Sequence, residues 1–270
     1  METVLLDFIT ALPERILMGI RYESTRYVIG TIGVFVVIWL MIGPFIRARR
    51  IRKRLPSKLL NKQVRMELLN SFRTILVFVA LDIVIFDLAE NGVFQFYNDP
   101  AEFGAIYYWA SILLGIIFHD TYFYWTHRAM HHAKLYKRFH LTHHRSYNPT
   151  PFTAYSFAVG EAVVEYGYVP LMLLVLPLHP SALAIILLIM IFKNALGHCG
   201  YEIFPRGATR HWFWKHMTTV THHDMHHEKA GGNFGLYFTW WDKIMGTEHS
   251  NYHERFDAVT GKSRPLAISA

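Results

Sequence analysis

Residues 27–46, YVIGTIGVFVVIWLMIGPFI, run for twenty positions without a charge. That is the length a helix needs to cross the hydrocarbon core of a bilayer, about 30 Å. A helix in a soluble core is usually shorter and keeps a polar face. Four further segments, 74–97, 106–125, 157–178 and 181–198, are also long and apolar but contain a few embedded polar groups. The pattern predicts an all-α, multi-pass membrane protein with about four to five apolar spans. The first run begins too late, and lacks the following small-residue site, for a cleaved signal peptide. The opening METVLLDFITAL reads equally well as a short interfacial helix or an ordinary packed one.

The net charge of +7 is placed in a way that argues for a membrane rather than for nucleic acid. Residues 47–54 are RARRIRKR, and 47–73 hold ten Lys or Arg, whereas the 98–105 connection, NDPAEFGA, holds none. Positive charge beside a span marks the cytoplasmic side and touches anionic head groups. No recognition motif or stacking pattern accompanies it, so nucleic acid is not an expected partner. With 47–73 in the cytoplasm, the span parity returns 127–150 and 199–270 to the cytoplasmic face. The 157–178 and 181–198 segments either cross and return or form a hairpin that does not fully cross. No repeat, low-complexity tract or linker divides the chain, which reads as one integral-membrane domain, 1–270. Cys199 is the only cysteine, which excludes a disulfide within the chain and a thiolate-rich metal site.

Three histidine clusters fall on that one face: HRAMHH (127–132), HLTHH (140–144) and HHDMHH (222–227). Helical positions i, i+3 and i+4 share a side, so His127 and His131 project together, as do His140, His143 and His144, and His223, His226 and His227. His198 closes an apolar segment at the same face. Imidazole is the commonest protein metal ligand, and so many of them exceed what one ion uses. The count suits a cytoplasmic helical cap carrying two metal ions with open positions, although ligand type alone does not separate Fe, Zn, Cu and Ni. His132 sits about 100° round the helix from its neighbour and is left out, and His179, His211, His216, His249 and His253 are read as capping or surface residues. His119, about 12 Å along a helix from His127, is assigned beside the ligands or to the substrate channel, and His222 likewise. Glu161 and Glu165, one turn apart, are candidates to accept hydrogen bonds from ligating imidazoles, with a polar stripe toward other helices as the alternative. The aromatic residues Tyr122, Phe123, Tyr124, Trp125, Trp240 and Trp241 suit a cleft lining or an interfacial belt.

The stretches HDTYFYWTHRAMHHAKLYKRFHLTHHRSYNPTPF (119–152), HCGYE (198–202) and HHDMHHEKAGGNFGLYFTWWDKIMGT (222–247) resemble the fatty acid hydroxylase/sterol desaturase superfamily. Its HX3H box and two HX2HH boxes match His127/His131, His140/His143/His144 and His223/His226/His227 in order. The resemblance covers roughly 119–247, with 1–118 as N-terminal membrane helices, and NPTPF is closest to the sterol C5-desaturase branch and its bacterial relatives. It implies a non-haem di-iron oxygenase that uses O2 and two electrons to hydroxylate or desaturate an unactivated C–H bond of a fatty acyl, sterol or other isoprenoid lipid. It also implies His198 as a further ligand. The C-terminal KSRPLAISA lacks the dilysine signal of some eukaryotic members, which points to a bacterial inner membrane. No nucleotide-binding glycine motif or ferredoxin cysteine set is present, so electrons are expected from an external ferredoxin- or cytochrome b5-type donor with its reductase. Two other classes remain open from the residues alone: a membrane metal-binding or transport protein, and a zinc-dependent membrane hydrolase, against which the missing HEXXH motif counts.

Overall fold

The computed structural model describes residues 2–53 and 55–261. Arg54 of the basic run and the C-terminal stretch behind the inner-membrane expectation lie outside them. The elements are α1 (Glu2–Val34), continued by a π-helix (Phe35–Ile42), then α2 (Ser57–Glu90), α3 (Pro100–Met130), α4 (Ala133–Phe139), α5 (Leu141–His144), α6 (Val159–Tyr166), α7 (Tyr168–Val175), α8 (Pro180–Gly197), α9 (Val220–Lys229), α10 (Trp240–Ile244) and α11 (Tyr252–Thr260). Among the described residues the only β pairing is three isolated bridges. The expected all-helical fold is what the chain adopts.

Three helices are long and apolar enough to cross a membrane: Phe8–Ile42, Pro100–Met130 and Pro180–Gly197. The expected count of four to five differs for two physical reasons. The 74–97 segment is the second half of α2, which carries Asp82, Asp87 and Glu90. The 157–178 segment is split into α6 and α7, each of eight residues and about 12 Å long, so neither is long enough to cross alone, whereas its expected partner α8 is. Around the split, the Tyr122 hydroxyl donates to the Val164 carbonyl at 2.7 Å and crowds Gly167, where a Cβ would lie 2.5 Å from that oxygen. The N-terminal residues do not form a separate interfacial helix; they are the first turns of α1.

The carboxylates of α2 have partners. Arg15 of α1 pairs with Asp87 at 3.2 Å and with Glu90, and Tyr166 donates to Asp82. In α8, Lys193 donates to the Thr218 carbonyl at 2.7 Å, tying that span to the strand of chain before α9. Such ties satisfy polar groups that hydrocarbon does not solvate.

Helix α1 packs against α2 and α8, and α8 against α3 and α9. Tyr155, Met172, Leu173, Ile186 and Ile191 are fully buried where these helices meet. Small residues set the closest approaches, as is usual between membrane helices. A Cβ on Gly30 would lie 2.5 Å from Ile191 Cγ1, and one on Gly115 2.5 Å from Ile186 Cδ1. This geometry leads α3 and α8 to end beside α9, and the histidines sit at those ends. Gly30→Leu should force α1 off α8 at a cost of roughly 1–3 kcal/mol, seen as a thermal midpoint several degrees lower by fluorescence-detected size exclusion. An unchanged midpoint would show that the α1–α8 contact is not tight.

Candidate metal centre

His127 lies in the last turn of α3 and His131 at its C-cap. The chain then turns at His132, whose exposed ring caps α4 by accepting from the Lys134 N–H at 3.4 Å. His140 separates α4 from the single turn α5, which bears His143 and His144. His198 caps the C-terminus of α8. The segment α9 supplies His223, His226 and His227, with Thr219 as N-cap accepting from the His222 N–H at 3.2 Å. Gly197 lets α8 and α9 close: a Cβ there would sit 3.3 Å from the His223 ring.

The nine histidines divide into two groups. In each, every residue offers a ligating atom within 4.8 Å of all the others: His127, His131, His140, His144 and His226 in one, His143, His198, His223 and His227 in the other. The sequence boxes do not map onto the groups one to one. His143 leaves its box for the second group, and His226 leaves its box for the first. The groups touch, with the His144 and His227 rings 4.7 Å apart.

The ring nitrogens show what these groups suit. His127 Nδ1 lies 2.9 Å from the Phe234 carbonyl, His226 Nδ1 2.8 Å from that of Gly232, and His198 Nδ1 2.7 Å from that of Asn194. A carbonyl only accepts, so each Nδ1 carries the proton and each Nε2 is left with a lone pair. His140 Nδ1 lies 2.6 Å from Glu161 Oε1, a carboxyl whose pKa burial pushes well above its ordinary value. Yet Nε2 of His127 lies 2.9 Å from that of His140, and Nε2 of His198 lies 2.9 Å from that of His223 and 3.0 Å from that of His227. His226 Nε2 is 3.0 Å from His144 Nε2 and 3.1 Å from His131 Nε2. Protonating the rings is costly here. Burial, then the neighbouring imidazoles, holds His140, His143, His223, His226 and His227 well below the ordinary 6.5 and brings His144 down to about 3. Burial brings His198 to about 4 despite its carbonyl. Lone pairs that converge, on rings held neutral, fit a bound cation.

The surrounding loop explains how the rings are aimed. The Asp242 carboxylate accepts from the Phe234 and Gly235 N–H groups at 2.9 and 2.8 Å, and Asp120 from Tyr237 N–H at 2.8 Å. Those bonds fix the loop 232–238 whose carbonyls face His226 and His127. Gly232 and Gly235 are required by close approach, since a Cβ on either would meet a backbone oxygen at 2.3 Å. Glu202 accepts from the Thr221 N–H at 2.8 Å, and Arg52 pairs with Asp224 at 2.8 Å, so the α9 cluster is held at its start and its middle. The NPTPF loop is held from α2, with Gln63 donating to the Asn148 carbonyl at 2.9 Å and Thr150 hydrogen-bonded to Glu67. The backbone acceptors carry no sequence signal. Asp120 and Asp242 were visible only as parts of HD and WWD.

The remaining assignments sort by position. Glu161 does hold an imidazole, whereas Glu165 does not reach one. His222 faces away from both groups, with Nε2 3.5 Å from Asp242 and its ring against Tyr252. His119 is in neither group. It stacks on Tyr168 at 3.8 Å, approaches Tyr237 Oη at 3.0 Å, and lines a cavity of about 20 Å³ on the membrane side of the centre. That cavity has Phe123 and Phe157 in its wall, which touch His127 and His143, with ring centroids 4.8 and 5.4 Å apart. Of the aromatics expected to line a cleft, only Phe123 does so; Tyr124 stacks on Trp241, and Trp125 and Trp240 are exposed. Tyr155, Tyr166 and Tyr168 take that place.

The fatty acid hydroxylase family model matches residues 112–247, half of the chain and the part that contains every one of the nine histidines. The chain belongs to the fatty acid hydroxylase family. It is 26% identical over 221 residues to the Delta(7)-sterol 5(6)-desaturase of Gibberella zeae, covering 82% of this chain and 66% of that protein. It is 33% identical over 145 residues to a methylsterol monooxygenase of Aspergillus fumigatus, 52% of this chain and 48% of that one. Human lathosterol oxidase is 29% identical over 191 residues, 70% and 62% of the respective chains. The chain thus spans about half to two thirds of these relatives' lengths. No solved structure matches it.

Two predictions follow from the geometry. His144→Ala and His198→Ala each strike one group, so each should lose about half of the bound metal by inductively coupled plasma mass spectrometry, while His179→Ala at the far end of α8 loses none. Full metal content in either of the first two would remove that group from the centre. In the metal-free protein the buried imidazoles take up fewer protons folded than unfolded below about pH 6.5, because His144 and His198 are brought down to about 3 and 4. The contribution of these imidazoles to stability should therefore be lost as pH drops below 6.5; a thermal midpoint in EDTA that rises steadily from pH 6.5 to pH 5 would contradict this.

Proposed function

We propose that the chain is a membrane-bound di-iron oxygenase that hydroxylates or desaturates an unactivated C–H bond of a lipid, with 119–247 as its catalytic region inside one integral-membrane domain. The observation that carries the reading is the pair of histidine groups at the ends of apolar helices, with a narrow aromatic-walled cavity on their membrane side. The proposed ligands are His127, His131, His140, His144 and His226 for one iron and His143, His198, His223 and His227 for the other. Iron at this centre supplies O2 activation and the oxidising power to break an unactivated C–H bond. Hydroxylation consumes O2, two electrons and two protons and yields the alcohol and one water; desaturation consumes the same and yields the alkene and two waters.

The protein's own groups do the positioning. Glu161 positions His140, and the Phe234, Gly232 and Asn194 carbonyls hold imidazole protons on Nδ1, keeping each of those Nε2 atoms free to ligate. Phe123, Phe157 and Leu236 keep water from the reacting carbon. The names of the relatives support a sterol or other isoprenoid lipid as substrate over a soluble one. The basic segment packs on the centre through Arg52–Asp224 and Arg50–Tyr201, so by the charge rule the centre faces the cytoplasm. A bacterial inner membrane is the proposed location, with an acidic ferredoxin- or cytochrome b5-type donor meeting that basic face. A transport path would string its ligands along the spans, whereas both groups lie at one end.

Lipids of cells with and without the gene product, compared by mass spectrometry, should differ by a gain of one oxygen (hydroxylase) or a loss of two hydrogens (desaturase). Protein purified without oxygen should hold about two irons per chain. One zinc and no iron would refute the oxygenase.

A further inference from the structure

Away from the histidine centre, a cavity of about 1060 Å³ opens between the π-helix that ends α1 and the first turns of α2. It falls in the size range of sites for drug-sized ligands or larger. Its lining has a polar end and an apolar end. Arg47, Arg50 and Arg65 line it near the 43–57 connection, where the two antiparallel helices join; no carboxylate is among its lining residues. Further along both helices its walls are Phe35 and Leu40 on one side and Leu68 and Leu69 on the other. Leu40, Leu68 and Leu69 are themselves well exposed, as is neighbouring Phe72, so the apolar end opens sideways toward hydrocarbon and not into the protein.

Two features show a built recess and not a gap between helices. Arg50 is pre-oriented: its guanidinium lies 5.1 Å over the Trp39 ring and 5.0 Å over the Tyr201 ring, and it donates to Tyr201 Oη at 2.9 Å. Arg47 and Arg65 have no ion pair or side-chain hydrogen bond among the described residues, which leaves their charge unneutralised at the cavity mouth. The wall itself is a π-helix of eight residues, closed by Gly43 N–H donating to Ile38 O at 2.6 Å. Such helices are rare, and they concentrate at functional sites.

We propose that this cavity binds one anionic phospholipid from the leaflet at the histidine end of the bilayer. The phosphate is held by Arg47, Arg50 and Arg65, and an acyl chain lies along Leu40, Leu68 and Leu69. The guanidinium fork matches phosphate oxygens in geometry and charge, and the lateral apolar opening selects a membrane lipid over a soluble anion. The site is separate from the histidine centre and the small aromatic-walled cavity beside it. It still abuts the centre, because Trp39 Nε1 donates to the Cys199 carbonyl at 2.8 Å, next to His198.

The test is native mass spectrometry of the full chain released from nanodiscs of phosphatidylglycerol or of phosphatidylcholine. The wild type should retain one phosphatidylglycerol and no phosphatidylcholine. The double variant Arg47→Gln/Arg65→Gln should hold phosphatidylglycerol at least tenfold more weakly, each basic residue near the head group contributing a share. Leu68→Trp, which leaves every arginine in place and fills the apolar end, should weaken retention as well, and metal content equal to wild type verifies that both variants fold. Equal retention of the two lipids, or undiminished phosphatidylglycerol in the double variant, would overturn the proposal. So would displacement of the lipid by millimolar inorganic phosphate with Leu68→Trp unaffected, since that describes a site for the anion alone. The readout is lipid mass, so it stands whether or not lipid oxidation is found.

Discussion

The ring nitrogens of nine imidazoles, eight of them buried, converge on one another, and the rest of the structure is arranged around that. His127, His198 and His226, whose Nδ1 protons are committed to carbonyls, each turn an Nε2 lone pair toward neighbouring Nε2 atoms about 3 Å away, where a shared cation would be favoured. Burial closes the alternative of becoming imidazolium. Each of the nine residues then costs stability in the metal-free chain and adds to it once a cation is shared. The loop 232–238, Glu161, Asp120 and Asp242 make sense as the means of keeping the rings in this arrangement, which they would leave if free to turn.

The division of the boxes follows from helix geometry. In α9, His223 and His227 are one turn apart and meet the second group, while His226, about 100° from His227, faces the first. In the second box, His140 and His144 are likewise four residues apart and stay together, and His143 turns away. Each HX2HH box therefore contributes to both histidine groups, with its i, i+4 pair in one and its odd member in the other. This couples the two groups mechanically: a tilt of α9 or α5 that relieves one necessarily disturbs its neighbour.

Much of this was legible in the chain before any coordinates. Length and apolar composition gave the spans of α1, α3 and α8, the spacing of the boxes marked eight of the nine histidines that gather, and His198 was marked by its place at the end of an apolar segment. What failed to show has a physical reason in each case. The 157–178 segment is apolar enough for a span, but Gly167 and Tyr122 break it, and that contact lies 45 residues back in the chain. The partition of the boxes depends on where α4 gives way to α5 at His140, a backbone detail without a residue signature. Carbonyl acceptors from Gly232, Phe234 and Asn194 are invisible in a sequence because every residue has a carbonyl. The basic run was legible as charge, yet its roles differ residue by residue, with Arg52 bound to Asp224 and Arg50 stacked between Trp39 and Tyr201.

The donor set raises a question of charge that the helices answer. Neither histidine group contains a carboxylate, so two divalent cations would bring about four positive charges into a buried site with neutral ligands only. The ends of three long elements face that site by the same polarity. His127 is in the last turn of α3, His198 caps the C-terminus of α8, and His226 and His227 are in the last turn of α9. A helix C-terminus carries about half a negative charge and favours a nearby cation by roughly 0.3–1 kcal/mol, more where it is partly buried. The Asn194 carbonyl that accepts from His198 belongs to the last turn of α8, so it contributes both as a dipole end and as a hydrogen-bond acceptor. Glu161, whose carboxyl meets His140 Nδ1 at 2.6 Å, places an acidic group one ring away from the first group. Placing the histidines at helix ends thus does two things at once. It brings ligands from separate spans to one point at the membrane face, and it supplies the negative potential that a neutral ligand set lacks.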